Sequence, residues 1–297
     1  MSENQLTAEA LVAPLQAADG GFVMLALDQR ESLRRMFPQS GGGEVDDDTL
    51  RRFKAAAIRV LSPFASAVLL DRPYAVTTGR PDGIDPSCGL ILAADVLDQP
   101  PGMPVVGTSL DREVTTDFIR DVGAVALKLL VIWRPDGREA EREDLVREFV
   151  QLADDAGVAS LVEGIARPAD SDQWGSAADR HAGVLDAARE LTSYGGTIYK
   201  AEVPGYRPGD LSEVRQHAER LTGAIDVPWV VLSNGTAQAD FAGAVREACL
   251  GGAGGFLAGR AIWADTVAES DPVAALRERS TERLRSLGAI VAESRAS

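Results

Sequence analysis

Eight short apolar runs recur along the chain, each about as long as a β-strand, and this recurrence constrains the fold more than any other feature. They read FVMLALD from Phe22, ASAVLLD from Ala65, GLILAAD from Gly89 and VALKLLVIW from Val125, then ASLVEGI from Ala159, TIYKAEV from Thr197, PWVVLSNG from Pro228 and GGFLAGR from Gly254. Near-continuous Val, Ile and Leu is what parallel strands need when both of their faces are covered. Segments with helical periodicity lie between them, including DDDTLRRFKAAAIRVL from Asp46 and TAQADFAGAVREACLGGAGG from Thr236. Asp46, Asp47 and Asp48 suit the positive end of a helix dipole. Gly157 reads as a C-cap and Thr236 as an N-cap.

Strand and helix therefore alternate from near Gly20 to near Ile290, with no linker. Periodicity alone would also fit a doubly wound open sheet, but a count of eight favours a single (β/α)8 TIM barrel, one domain over residues 1–297. The segment PVVGTSL from Pro104 fits either a ninth strand or a displaced third. Gly41–Gly43 and the stretch from Arg167 to Ser176 read as loops.

Composition narrows the function classes. Forty-five Asp and Glu against 30 Lys and Arg give a formal charge of −15, which opposes nucleic-acid binding but leaves room for an anion held by a few local cations. Two distant cysteines, Cys88 and Cys249, fit a reducing compartment better than a disulfide scaffold. Two histidines, His181 and His217, are too few for a zinc site built mainly on imidazole, and on predicted helices away from strand ends they read as surface residues. No apolar run approaches the ~18 residues of a membrane span, and the N-terminus lacks a secretory pattern. A cytoplasmic protein with no membrane partner is expected.

Barrel sites form at the carboxyl ends of the strands. There the sequence places Asp28-Gln29-Arg30, Asp71-Arg72, Lys128, Glu163, Lys200 with Glu202, Ser233-Asn234-Gly235 and Gly259-Arg260. Buried lysine is rare because an ammonium is expensive to take from water. Either Lys128 or Lys200 alone could snorkel to a strand end or pair with Glu163 or Asp28. Together they suggest chemistry: an amine beside a second cation and an apolar wall can attack a ketone as the neutral species. Gly235, Gly259 and Arg260 suggest a phosphate site after the seventh and eighth strands. Arg30 and Arg72 are candidates for a second anion. Asp95 ends a strand without an evident partner.

With these residues assembled, the sequence resembles the class I aldolases of the tagatose-bisphosphate aldolase group, and within it the sulfofructosephosphate aldolases. The segments GGFVMLALDQRESLRRMF, LSPFASAVLLD, ALKLLVIWRPD, IYKAEVPGY, VPWVVLSNG and GGFLAGRAIW carry the likeness over nearly the whole chain. The resemblance implies a Schiff-base lysine at Lys200, with Lys128, Glu163 and Asp28 at the other catalytic positions. It implies a sugar phosphate bound by Ser233, Gly235, Gly259 and Arg260; Asn234, Gln29, Arg30 and Arg72 are further substrate-binding candidates of this chain. The implied reaction is reversible cleavage of 6-deoxy-6-sulfofructose 1-phosphate to dihydroxyacetone phosphate and sulfolactaldehyde, without metal or other cofactor. A tagatose or fructose 1,6-bisphosphate aldolase with the same lysine is the near alternative, and an inactive sugar-phosphate-binding barrel the distant one. A homo-oligomer is expected. The chain departs from sulfofructosephosphate members at Arg72, Gly164 and Asn234, where they carry an amide, proline and serine.

Overall fold

Alternation of inward and outward residues along the apolar runs gives this closed sheet its two packed faces. The computed structural model describes residues 7–37, 45–100, 103–171 and 173–296. Its first half contains α1 (Ala8–Val12), β1 (Phe22–Ala26), α2 (Glu31–Arg34), α3 (Asp47–Leu61), β2 (Ala67–Asp71), β3 (Gly89–Ala93), β4 (Asp95–Asp98), β5 (Gly107–Leu110), α4 (Thr116–Val122) and β6 (Ala126–Trp133). Its second half contains α5 (Glu139–Ala156), β7 (Ala159–Ala166), α6 (Ala177–Ser193), β8 (Ile198–Ala201), α7 (Val214–Thr222), β9 (Trp229–Val231), α8 (Gln238–Leu250), β10 (Gly255–Ala258), α9 (Arg260–Trp263), α10 (Pro272–Ala275) and α11 (Thr281–Arg295). Strands β1, β2, β3, β6, β7, β8, β9 and β10 form a closed barrel in that order. All their pairings are parallel, and β10 closes onto β1 with Phe22 opposite Gly255 and Leu25 opposite Ala258. The expected (β/α)8 barrel is the fold observed.

Two apolar layers follow from the period of two along each strand. Met24, Leu69, Ile91, Leu161, Ile198 and Leu257 fill the interior. Leu25, Val68, Leu92, Val162, Tyr199 and Phe256 face the helices instead. Val12 and Leu15 join the interior layer and seal the amino-terminal end. The seal is close: a β-carbon on Gly89 would lie 2.7 Å from the Pro14 carbonyl oxygen. At the other margin α11 packs on α8 and β1, and Arg295 Nε donates to the Asp19 carbonyl at 3.2 Å, joining the two ends of the described chain.

Local signals set the helix ends. Asp46 caps α3 by accepting from Thr49 N at 2.7 Å, and Gly157 ends α5 in the left-handed region at φ 70°. Thr236 does not cap α8; the cap position is Ala237, and the Thr236 hydroxyl is buried without a partner. The strand–helix alternation also has one gap. Residues 72–88, between β2 and β3, run as turns without a helix. The segment from Pro104 supplies neither a ninth barrel strand nor the third: its β5 pairs antiparallel with β4 as a hairpin outside the barrel. Gly41–Gly43 lie outside the described residues, and the described part of 167–176 is loop. Among the described residues, no helix is long and apolar enough to cross a membrane. Cys88 and Cys249 are free and buried, and burial pushes both thiols up to about 12.

Gly164 shows how tightly the outer layer is packed. A β-carbon there would lie 2.0 Å from Tyr199 Oη and 2.9 Å from Cζ, so the phenol of the neighbouring strand occupies the space a side chain would need. Gly164→Ala should destabilise the fold by about 1–3 kcal/mol, the usual cost of overpacking. Tyr199→Phe should recover part of that loss, and urea denaturation of the two single variants and the double variant measures the coupling.

Candidate functional site

Inward parity carries past the apolar interior to the carboxyl rim, and there the inward positions change from Leu and Ala to charge. On β1 the inward series Phe22, Met24 and Ala26 leads to Asp28; on β6 Ala126 leads to Lys128; on β7 Ala159 and Leu161 lead to Glu163; on β8 Ile198 leads to Lys200. Glu163 and Lys200 are direct cross-strand partners, and Lys128 lies opposite Leu161 and Ala93. These four polar side chains therefore converge by register alone.

Lys128 is the hub. Its Nζ lies 2.9 Å from Asp28 Oδ2, 3.0 Å from Asp95 Oδ2 and 2.9 Å from Glu163 Oε2. Glu163 Oε2 also accepts from Lys200 Nζ at 3.0 Å, so one carboxylate oxygen stands between the two lysine nitrogens. Lys128 is 1% exposed and Lys200 4%, and both line the cavity above. Burial alone would push the Asp28 and Glu163 carboxyls up, but Lys128 and Lys200 outweigh it and hold both below their ordinary range. Burial likewise pulls the Lys128 ammonium down, and Asp28, Asp95 and Glu163 overcome it, raising it well above its ordinary value.

Asp95 is the residue whose role sequence reasoning missed. It begins β4, directly after β3, and besides Lys128 it binds the Leu130 amide at 3.1 Å. Arg30 Nη2 donates to its carbonyl at 2.8 Å and to its Oδ1 at 3.2 Å. Lys54 was missed as well, although it sits on the apolar stripe of α3 with Leu50, Ala57, Ile58 and Leu61. Fully buried, it pairs with Asp71 at the end of β2. A lysine on a helix's apolar stripe was the available signal; the partner of Asp95 had none in one dimension.

A cavity of about 210 Å³ opens above this network. Asp28, Gln29, Arg30, Lys128, Glu163, Lys200, Asn234 and Arg260 all line it, together with Arg167, which sequence reading left unassigned although it directly follows β7. Leu97 and Gln99, at the end of β4 and just beyond it, and Leu130 and Ile132 of β6 form part of the wall. Arg260 Nη2 donates to Asn234 Oδ1, linking the ends of β9 and β10. Burial lowers the Arg260 guanidinium from its ordinary value, with Glu163 and Asp28 opposing. Gln29 Oε1 is buried with no partner, in a residue that lines the cavity. Gly235 turns at φ 75°, and a β-carbon on Gly259 would lie 2.5 Å from the Ala26 carbonyl.

Not every candidate converges. Ser233, Gly235 and Gly259 stand beside the cavity rather than in its lining. Arg72 is outside the lining too, held in a fork by Asp111 at 2.8 Å and 3.1 Å. His181 is buried rather than at the surface, and its ring packs against that of His217.

Comparison with known proteins gives a family model and relatives. The model of the DeoC/LacD family aldolases matches residues 22–265. A Listeria monocytogenes protein named tagatose 1,6-diphosphate aldolase is 28% identical over 272 residues, covering 84% of this chain and 79% of that protein. Tagatose 1,6-diphosphate aldolase 2 of Enterococcus faecalis is 25% identical over 319 residues, covering 96% and 93%. Among solved structures, an archaeal fructose 1,6-bisphosphate aldolase superposes with a TM-score of 0.66 at 18% identity, covering 97% of this chain and all (100%) of that one. Fructose-bisphosphate aldolase from Plasmodium falciparum superposes with a TM-score of 0.72 at 13% identity, covering 97% and 94%.

The charge network generates two expectations. Lys128→Met leaves three buried carboxylates without their shared cation and should cost about 3–5 kcal/mol, the usual price of orphaning a buried charge. Asp28, with its carboxyl held below 3.8, contributes stability that is fully present above that pH and is lost as pH falls through its folded value. Asp28→Asn should therefore be less stable than the parent at neutral pH, and the gap should narrow once the pH falls below 3.8. Thermal denaturation across the acid range measures both.

Proposed function

The chain belongs to the DeoC/LacD family of aldolases and is a carbon–carbon lyase, and we propose that Lys200 is its Schiff-base nucleophile. The observation that carries this reading is a buried lysine whose Nζ reaches the mouth cavity 3.0 Å from a carboxylate oxygen of Glu163. Lys200 adds to the C2 ketone of a ketose 1-phosphate, and the carbinolamine loses water to give an iminium. Glu163 carries the protons of these steps, within hydrogen-bond reach of Nζ. Asp28, held ionised beside Lys128, takes the C4 hydroxyl proton as the C3–C4 bond breaks. The bonding electrons pass into the iminium, giving an enamine, and the aldehyde leaves. Protonation at C3 and hydrolysis then release dihydroxyacetone phosphate.

Arg260, linked to Asn234 beside Ser233, Gly235 and Gly259, supplies the cation for the 1-phosphate. Gln29 Oε1 accepts from a sugar hydroxyl. The substrate proposed is 6-deoxy-6-sulfofructose 1-phosphate, with sulfolactaldehyde as the second product. Supporting it, Arg30 pairs with Asp95 and Arg72 with Asp111, which leaves Arg167 as the further cation in the lining, a number suited to a sulfonate's single charge. The second reading, tagatose or fructose 1,6-bisphosphate, is favoured by the names of the curated relatives.

Borohydride with substrate should fix a covalent adduct on Lys200, located by peptide mass spectrometry. Lys200→Ala should abolish both adduct and turnover, and a Lys200→Ala protein that still cleaves substrate would end the Schiff-base assignment. Coupled release of dihydroxyacetone phosphate from the sulfosugar phosphate and from tagatose 1,6-bisphosphate decides the substrate: the larger kcat/KM names it.

A further inference from the structure

Outside the mouth cavity, the contact between α6 and α7 gathers a second set of chemically capable side chains. Glu213 occupies the cap position of α7 and His217 lies one turn later, a spacing that puts both on one face of the helix. His181 comes from α6. The two imidazole rings stand 4.5 Å apart, centroid to centroid, at 61°. One ligand atom from each of the three residues lies within 4.8 Å of the others, and His217 Nε2 is 4.0 Å from Glu213 Oε2.

His181 supplies an independent observation. The residue is 5% exposed, and its Nε2 is buried with no hydrogen-bond partner. A neutral imidazole with its proton on Nδ1 presents a bare lone pair at Nε2, the usual arrangement of a metal-ligating ring. A buried acceptor without a donor is otherwise an unrewarded cost.

We propose that His181, His217 and Glu213 form a divalent transition-metal site whose natural occupant is Zn²⁺. Two imidazoles and one carboxylate suit a borderline-soft ion, with water completing a tetrahedron. Bonds of about 2.0 Å would draw the ligand atoms to about 3.3 Å apart, a closure within reach of side-chain rotation. Arg207 holds the other oxygen, Glu213 Oε1, at 3.3 Å and leaves Oε2 toward His217. A bound ion would clamp the helices before and after β8, the strand that carries Lys200, and the segment between β8 and α7 that includes Glu202 and Tyr206. None of its three ligands lines the mouth cavity, so the clamp is separate from the aldol chemistry.

The test is titration of the chelator-treated full-length protein with Zn²⁺ by calorimetry and with Co²⁺ by visible absorption. Binding should saturate at one ion per chain, with tetrahedral Co²⁺ bands that Zn²⁺ displaces. His217→Ala should weaken binding by more than about tenfold while leaving turnover of the metal-free protein unchanged. His181→Gln should do the same; should it fail to fold, the partly exposed His217 and the Glu213→Gln variant still carry the test. Absence of saturable binding at one ion per chain, or unaltered affinity in His217→Ala, overturns the proposal.

Discussion

One ammonium group, that of Lys128, holds the mouth of this barrel together. It is almost wholly removed from water and lies within 3.0 Å of carboxylates from three separate segments: Asp28 after β1, Asp95 in β4 and Glu163 in β7. Such a charge is tolerable only when its partners are close and fixed, so the three segments cannot move independently without exposing an unpaired ion to an apolar interior. The constraint passes outward through each carboxylate. Asp95 fixes Arg30 and the Leu130 amide, and Glu163 fixes Lys200. The cavity floor is thereby set before any ligand arrives, which is the condition for electrostatic preorganisation.

Much of this was legible in one dimension because a strand has a period of two. Once a run such as VALKLLVIW or TIYKAEV is read as an interior strand, its lysine must point into or out of the barrel, and the structure turns both inward to the cavity. Lys128, Glu163, Lys200 and Asp28 stand out as polar residues in or just after such runs, and the pairing of β6, β7 and β8 brings the first three together. What escaped has a common physical cause. Asp95 meets Lys128 across 33 positions of sequence, and Arg72 meets Asp111 across 39, through a hairpin whose placement no local pattern announces. The helix missing between β2 and β3 escaped because a regular alternation invites completion, although a run of turns can also return the chain to the next parallel strand.

Thr236 and His181 failed for opposite reasons. Thr236 has good capping chemistry, but the helix begins two residues later and its hydroxyl turns inward. His181 lies on a helix away from any strand end, yet α6 packs that face toward α7 instead of solvent. Local propensity names the element; burial belongs to the packing of one element on another. Gly164 shows the converse, since its neighbour Tyr199 explains why this position carries no side chain once the two strands are set side by side.

The sealed base of the barrel governs traffic. With Leu15 and Val12 inserted beneath the interior layer, and the Pro14 carbonyl against Gly89, a molecule that reaches Lys200 arrives and departs through the same opening. Two fragments of a severed ligand must then queue. On the lysine chemistry proposed above, the untethered half vacates first, while the half bonded to Lys200 waits behind it, so the sequence of departures is written into the architecture before chemistry begins.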